Sequence, residues 1–75
     1  MNMEKWIKDL YDANATRIYR IAVYLLRQSL GHSADALDVV QEVFLLAARI
    51  DIRDHPKPEG WLVEATKMIC SRKGA

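Results

Sequence analysis

Asp38, Gln41, Glu42, Leu45 and Arg49 follow one another at steps of three, one, three and four residues. On a helix that spacing gathers them into a single stripe. Two carboxylates, an amide, an aliphatic side chain and a guanidinium in a row offer recognition rather than bond-breaking chemistry. Hydrogen bonds and ion pairs arranged around an apolar contact suit docking to another protein. Leu37 and Leu46 flank the stripe, which leaves it more apolar than a merely solvated helix face. The sequence shows no paired carboxylates, no nucleophile with an adjacent base and no phosphate-cradling glycine loop, so an enzyme is not expected.

The element that must carry the stripe is Ser33 to Ile50, SADALDVVQEVFLLAARI. Its other side places Ala36, Val40, Val43, Phe44, Ala47 and Ile50 at three- and four-residue spacing, a face for a core. Ser33 suits the N-cap, and Asp35 complements the positive helix end. Upstream, Ile7, Leu10, Tyr11, Ile18, Ile21, Ala22, Leu25 and Leu26 keep one helical phase from Glu4 to Leu30. This reads as one long helix; Asn14 falls in that apolar phase, which leaves a kink or break around Asp12 to Thr16 as an alternative, with Thr16 able to cap a restart. Gly31 suits a helix stop, and the short link Gly31-His32-Ser33 requires the first two helices to run antiparallel. His32, alone in that link, reads as a solvated residue.

After Ile50, two prolines and a glycine between Asp51 and Gly60 mark a loop. Pro58 fits the first turn of a third helix, where its missing N–H costs nothing, and Glu59 adds a favourable charge. Trp61, Leu62, Ala65, Met68 and Ile69, with Arg72, define the expected inward face; Val63, Glu64, Lys67 and Ser71 point outward. Cys70 reads as a small hydrophobe, partly buried, or as a surface thiol. The expected fold is all-α: a three-helix bundle with helices over about residues 4–30, 33–50 and 58–73, forming one small domain across 1–75.

Composition bounds what such a domain can do. With 75 residues, 51% of them hydrophobic, the chain suffices for one core and no more. One cysteine excludes an internal disulfide, and with two isolated histidines it cannot furnish a four-ligand zinc site, so neither metal nor cofactor is expected. No signal-like or bilayer-length apolar run appears, which points to a cytoplasmic protein without a membrane partner. The net charge of +1 does not suit binding of nucleic acid by bulk electrostatics alone. Residues 31–50 nevertheless carry three acids against one base, so the middle helix favours a basic partner.

The run Asp35-Ala36-Leu37-Asp38-Val39-Val40-Gln41-Glu42-Val43-Phe44 resembles the signature helix of bacterial RNA polymerase sigma factors of the extracytoplasmic-function group, whose pattern is D-A-E-D-hydrophobic-V-Q-E-hydrophobic-F. Only Leu37 departs from it, standing where the family has an acid. The resemblance extends to Leu10-Tyr11, Ile18-Tyr19-Arg20-Ile21-Ala22 and Leu25-Leu26 in the first helix, and to Gly60-Trp61-Leu62 in the third. It implies that Asp38, Gln41, Glu42, Leu45 and Arg49 contact the clamp coiled coil of the polymerase's largest subunit. It also implies that the second loop and third helix, through Lys57, Trp61, Lys67, Met68, Arg72 and Lys73, recognise the promoter's minus-ten element as a single, non-template strand. Pocketing a flipped base while cations follow the backbone is a sound way to hold an open duplex.

The third helix departs from the family pattern: Met68 stands at its asparagine and Arg72 at its aspartate. Read without the resemblance, Trp61 is a core anchor and the basic residues near the helix end answer to the macrodipole. Two functions therefore stand side by side. The first is a sigma-factor region-two domain that docks on polymerase and melts the promoter. The alternative is a sigma-like decoy that occupies an anti-sigma protein or the polymerase clamp without reading DNA. A full factor of the group would need a second helical domain for the minus-thirty-five element, which does not fit in this length; an excised domain or a stand-alone remnant is expected.

Overall fold

A computed structural model describes residues 4–27 and 36–74, with side chains described as far as Arg72. Three helices, α1 (Lys5–Arg27), α2 (Ala36–Ile50) and α3 (Pro58–Gly74), each pack against the other two. Tyr11 meets Phe44 edge to face, with ring centroids 5.0 Å apart. Two turns further along α1, Tyr19 shares a groove with Leu37 near the start of α2. Rising numbers on one helix thus meet falling numbers on the other, and α1 and α2 run antiparallel. The expected cap at Ser33, its neighbour Asp35, the stop at Gly31 and the loop residue His32 lie outside the described residues.

Helix α1 starts where the Glu4 carbonyl accepts the N–H groups of Ile7 and Lys8, at 3.1 and 3.0 Å. It buries Ile7, Asn14, Ile18, Ala22 and Leu26. The helix is continuous through Asn14, as the one-helix reading has it, and the alternative of a break there does not occur. The Asn14 amide donates to the Leu10 carbonyl one turn back, at 3.0 Å, so a polar side chain enters the interior without opening the helix.

In α2 the buried residues are Ala36, Val39, Val40, Val43, Phe44 and Ala47. Ile50, expected inside, is 54% exposed, and Ile52 from the loop is buried in its place. The helix stop explains the exchange. Asp51 adopts a left-handed conformation (φ 58°), and the Ile52 N–H turns back to the Ala47 carbonyl at 3.3 Å. This is the Schellman arrangement, in which an apolar residue just past the helix folds back onto its last turn. Asp tolerates the left-handed region better than most non-glycine residues.

Helix α3 begins at Pro58, with the Trp61 N–H bonded to the Lys57 carbonyl at 3.0 Å. Its buried residues are Leu62, Ala65, Thr66, Ile69 and Cys70, while Trp61 and Val63 are half-buried. The face is rotated from the one expected: Met68 is 47% exposed and Arg72 is exposed, whereas Thr66 and Cys70 turn in. Thr66 can do so because its hydroxyl donates to the Leu62 carbonyl at 2.7 Å, satisfying the polar atom locally. Among the described residues the interior is apolar apart from Asn14 and Thr66, and no buried side-chain polar atom lacks a hydrogen bond.

Candidate docking ridge and nucleic-acid interface

At about 100° per residue, Asp38, Gln41, Glu42, Leu45 and Arg49 occupy an arc of roughly 100° on α2, diametrically opposite the buried arc centred near Val43 and Ala47. Asp38, Gln41, Leu45 and Arg49 are exposed and Glu42 is half-buried. Leu45 is 57% exposed, and Leu37, on the edge of the ridge, 53%. The bundle gives the ridge rigidity, because the same helix contributes six buried side chains to the core.

A groove runs along each side of this ridge. On the α3 side, Glu42, Leu45, Leu46 and Arg49 face Ile69 and Arg72 across a depression of about 230 Å³. On the α1 side, Leu37 and Val40 face Tyr11, Ala15, Thr16 and Tyr19 across one of about 280 Å³. The first groove brings Arg72, expected to meet DNA, to the ridge residues Glu42 and Arg49. The two sets of candidate residues therefore adjoin along the α2–α3 seam.

The remaining candidates separate. Trp61, Met68 and Arg72 share one flank of α3, whereas Lys67 points roughly 100–140° away around the helix axis, and its ammonium lies 3.5 Å from Glu64. Lys57 is exposed at the mouth of the loop, and its backbone N–H donates to His55 Nδ1 at 3.0 Å. The side chain of Lys73 lies outside the described residues.

The loop itself is held by a cluster that the sequence pattern does not reveal. Arg53 donates through Nε to both carboxylate oxygens of Asp51, at 2.9 and 3.1 Å, and through its backbone N–H at 3.2 Å. Its guanidinium also lies over the Trp6 ring, 5.4 Å from the centroid, and 3.6 Å from the Glu4 carboxylate. Glu4 in turn accepts from the Trp6 indole N–H at 3.1 Å. These hydrogen bonds hold the Asp51 carboxyl below its ordinary range, while the same partner raises Arg53 further. The Asp-x-Arg spacing was the one available signal; the Trp6 contact joins residues far apart in sequence. No group of His, Cys, Asp and Glu among the described residues could hold a metal ion.

The three helices make a small all-α domain that presents a mixed polar and apolar ridge on α2. The family described as Sigma-70 region 2 matches residues 10–72, and the chain belongs to it. Domains of this family serve as sigma-factor parts in transcription initiation, binding the RNA polymerase core and promoter DNA rather than catalysing a reaction. Comparisons with curated proteins and with solved structures gave no match. No helix among the described residues is long and apolar enough to cross a membrane.

Proposed function

We propose that this chain, across residues 1–75, is the region-two domain of a cytoplasmic sigma factor of the extracytoplasmic-function group, and that its α2 ridge seats on the clamp coiled coil of the polymerase's largest subunit. The observation that carries this reading is the common outward face of Asp38, Gln41, Glu42 and Leu45. Acidic and amide groups around an exposed leucine complement a basic, partly apolar helical partner, and rigid presentation limits the ordering cost of binding. Arg49 closes the ridge at its far end. An anti-sigma protein covering the same ridge would compete with polymerase.

The second part of the proposal gives the Asp51–Lys57 loop and the adjoining flank of α3 to the minus-ten element, held as a non-template single strand. Lys57 is exposed to meet a phosphate, Trp61 offers a half-buried ring at the loop's exit, and Met68 and Arg72 extend that flank. Lys67 and Lys73 supply further positive charge on the helix. Met68, in place of the family's asparagine, favours a second reading, in which the domain is a decoy for the clamp or an anti-sigma protein.

Binding of an isolated clamp fragment and of a minus-ten single-stranded oligonucleotide tests both. Asp38→Ala and Gln41→Ala each weaken clamp binding by about tenfold if they remove hydrogen bonds to charged groups. Unchanged clamp affinity in both variants would remove the docking proposal. Clamp binding with no preference for the minus-ten strand over a scrambled one would select the decoy.

A further inference from the structure

From Ala13 to Ala34 the chain contains three arginines and no carboxylate. Arg17, Arg20 and Arg27 fall with Tyr24 on one arc of α1, about 80° wide and opposite its buried face. All four are exposed, Tyr24 at 62%. No ion pair among the described residues involves any of these arginines, in contrast to the other end of the helix. There Lys5 pairs with Asp9 at 2.9 Å and Lys8 with Asp12 at 3.0 Å. The favourable interaction of a cation with a helix C-terminus covers only the last turn, so it accounts for Arg27 but not for Arg17 or Arg20.

We infer that this arginine–tyrosine stripe is a second nucleic-acid contact, which takes the phosphate backbone of single-stranded DNA leaving the α2–α3 loop. Charge complementarity selects a polyanion: three guanidiniums without an ion pair among the described residues span about 15 Å along the helix, a length matching a few nucleotides. The exposed phenol among them selects a single strand over an acidic polypeptide, because unstacked bases present faces on which an aromatic ring stacks. Continuity supplies the path. Trp6 projects from α1 in the same direction as Arg17 and Tyr24, and Arg53 of the loop lies over its ring. The stripe begins about 16 Å further along the same side of α1, so a strand held at the loop reaches it by running past Trp6. The inference uses the family's affinity for DNA but needs neither a minus-ten preference nor clamp binding.

The test is the salt dependence of binding to a fluorescein-labelled oligothymidylate of about twelve nucleotides, within the range that single-strand sites cover. For a single strand, removing one cation–phosphate interaction reduces the slope of log K against log salt by about 0.7. The triple variant Arg17→Gln/Arg20→Gln/Arg27→Gln is therefore expected to lower the slope by about 2. Lys5→Gln/Lys8→Gln, removing cations already paired, should leave it unchanged. Tyr24→Ala should weaken the single strand by about tenfold and a duplex of equal length much less. Circular dichroism and clamp binding, unaltered in each variant, show that the fold and ridge are intact.

An unchanged slope in the triple variant would overturn the inference. Equal effects of Tyr24→Ala on single strand and duplex, or polyglutamate competing as well as oligothymidylate, would do the same. Absence of a minus-ten preference together with the expected slope change would reject the loop's proposed role and leave the stripe standing.

Discussion

Asp51 shows how much one residue decides at the end of α2. Its left-handed backbone lets Ile52 return to the core, and its carboxylate holds Arg53 against Trp6 and Glu4. Bonds from the Arg53 side chain, then from its backbone N–H, lower the Asp51 pKa below 3.8. A depressed carboxyl pKa stabilises the folded state above the unfolded value, and that contribution is lost as pH falls through the folded one. The clasp is thus expected to be intact from neutrality down to pH 3.8 and to release below it. An NMR titration of the Asp51 side-chain carbon should give a midpoint below 3.8, moving up toward that value in Arg53→Ala. A midpoint unmoved by the substitution would mean that Arg53 is not the cause.

At the scale of elements, the three helices were legible because each carries a run of apolar residues at helical spacing, and Pro58 marks the start of α3 on the residue expected. What the pattern left undecided was rotation about each axis. In α3, Leu62, Ala65 and Ile69 fit an inward face flanked either by Trp61, Met68 and Arg72 or by Thr66 and Cys70. Hydropathy favours Met68 over Thr66; the hydroxyl's bond to Leu62 reverses that preference. Asn14 hid its role in the same way, since a buried amide satisfied by its own helix looks like a breaker in sequence. The α2 ridge was easier to read because its polar and apolar residues lie on opposite sides. Gly60 offers a test of helix propensity at the start of α3. A Cβ there would meet Lys57 Cβ at 3.7 Å, an ordinary contact. Gly60→Ala should therefore raise stability by about 0.5–1 kcal/mol in urea unfolding, through a less disordered unfolded chain. Destabilisation would show that the first turn of α3 requires the glycine.

For the whole molecule, a domain of this size has a stability on the order of 4–11 kcal/mol, so a single core side chain is a large share of it. Phe44 lies 3% exposed and packs edge to face on Tyr11, joining α1 to α2 at the edge of the buried arc. Phe44→Ala is expected to cost about 3–5 kcal/mol, from reduced burial and the void left behind. Urea denaturation would measure it; a cost under about 1 kcal/mol, the size of an ordinary surface effect, would mean that the seam repacks around the gap. The ridge, the loop and the arginine stripe all draw their geometry from this one interior. A core substitution should consequently impair clamp and DNA binding together, whereas surface substitutions separate them.

Cys70, at 4% exposure on the inner side of α3, gives the molecule its own reporter of opening. An alkylating reagent reaches its sulfur when the C-terminal part of the third helix lifts from the other two. With reclosing fast relative to capture, the labelling rate tracks the population of the open form. The sole thiol of the chain can therefore time the detachment of α3, with and without a bound partner, and no probe need be engineered into the protein.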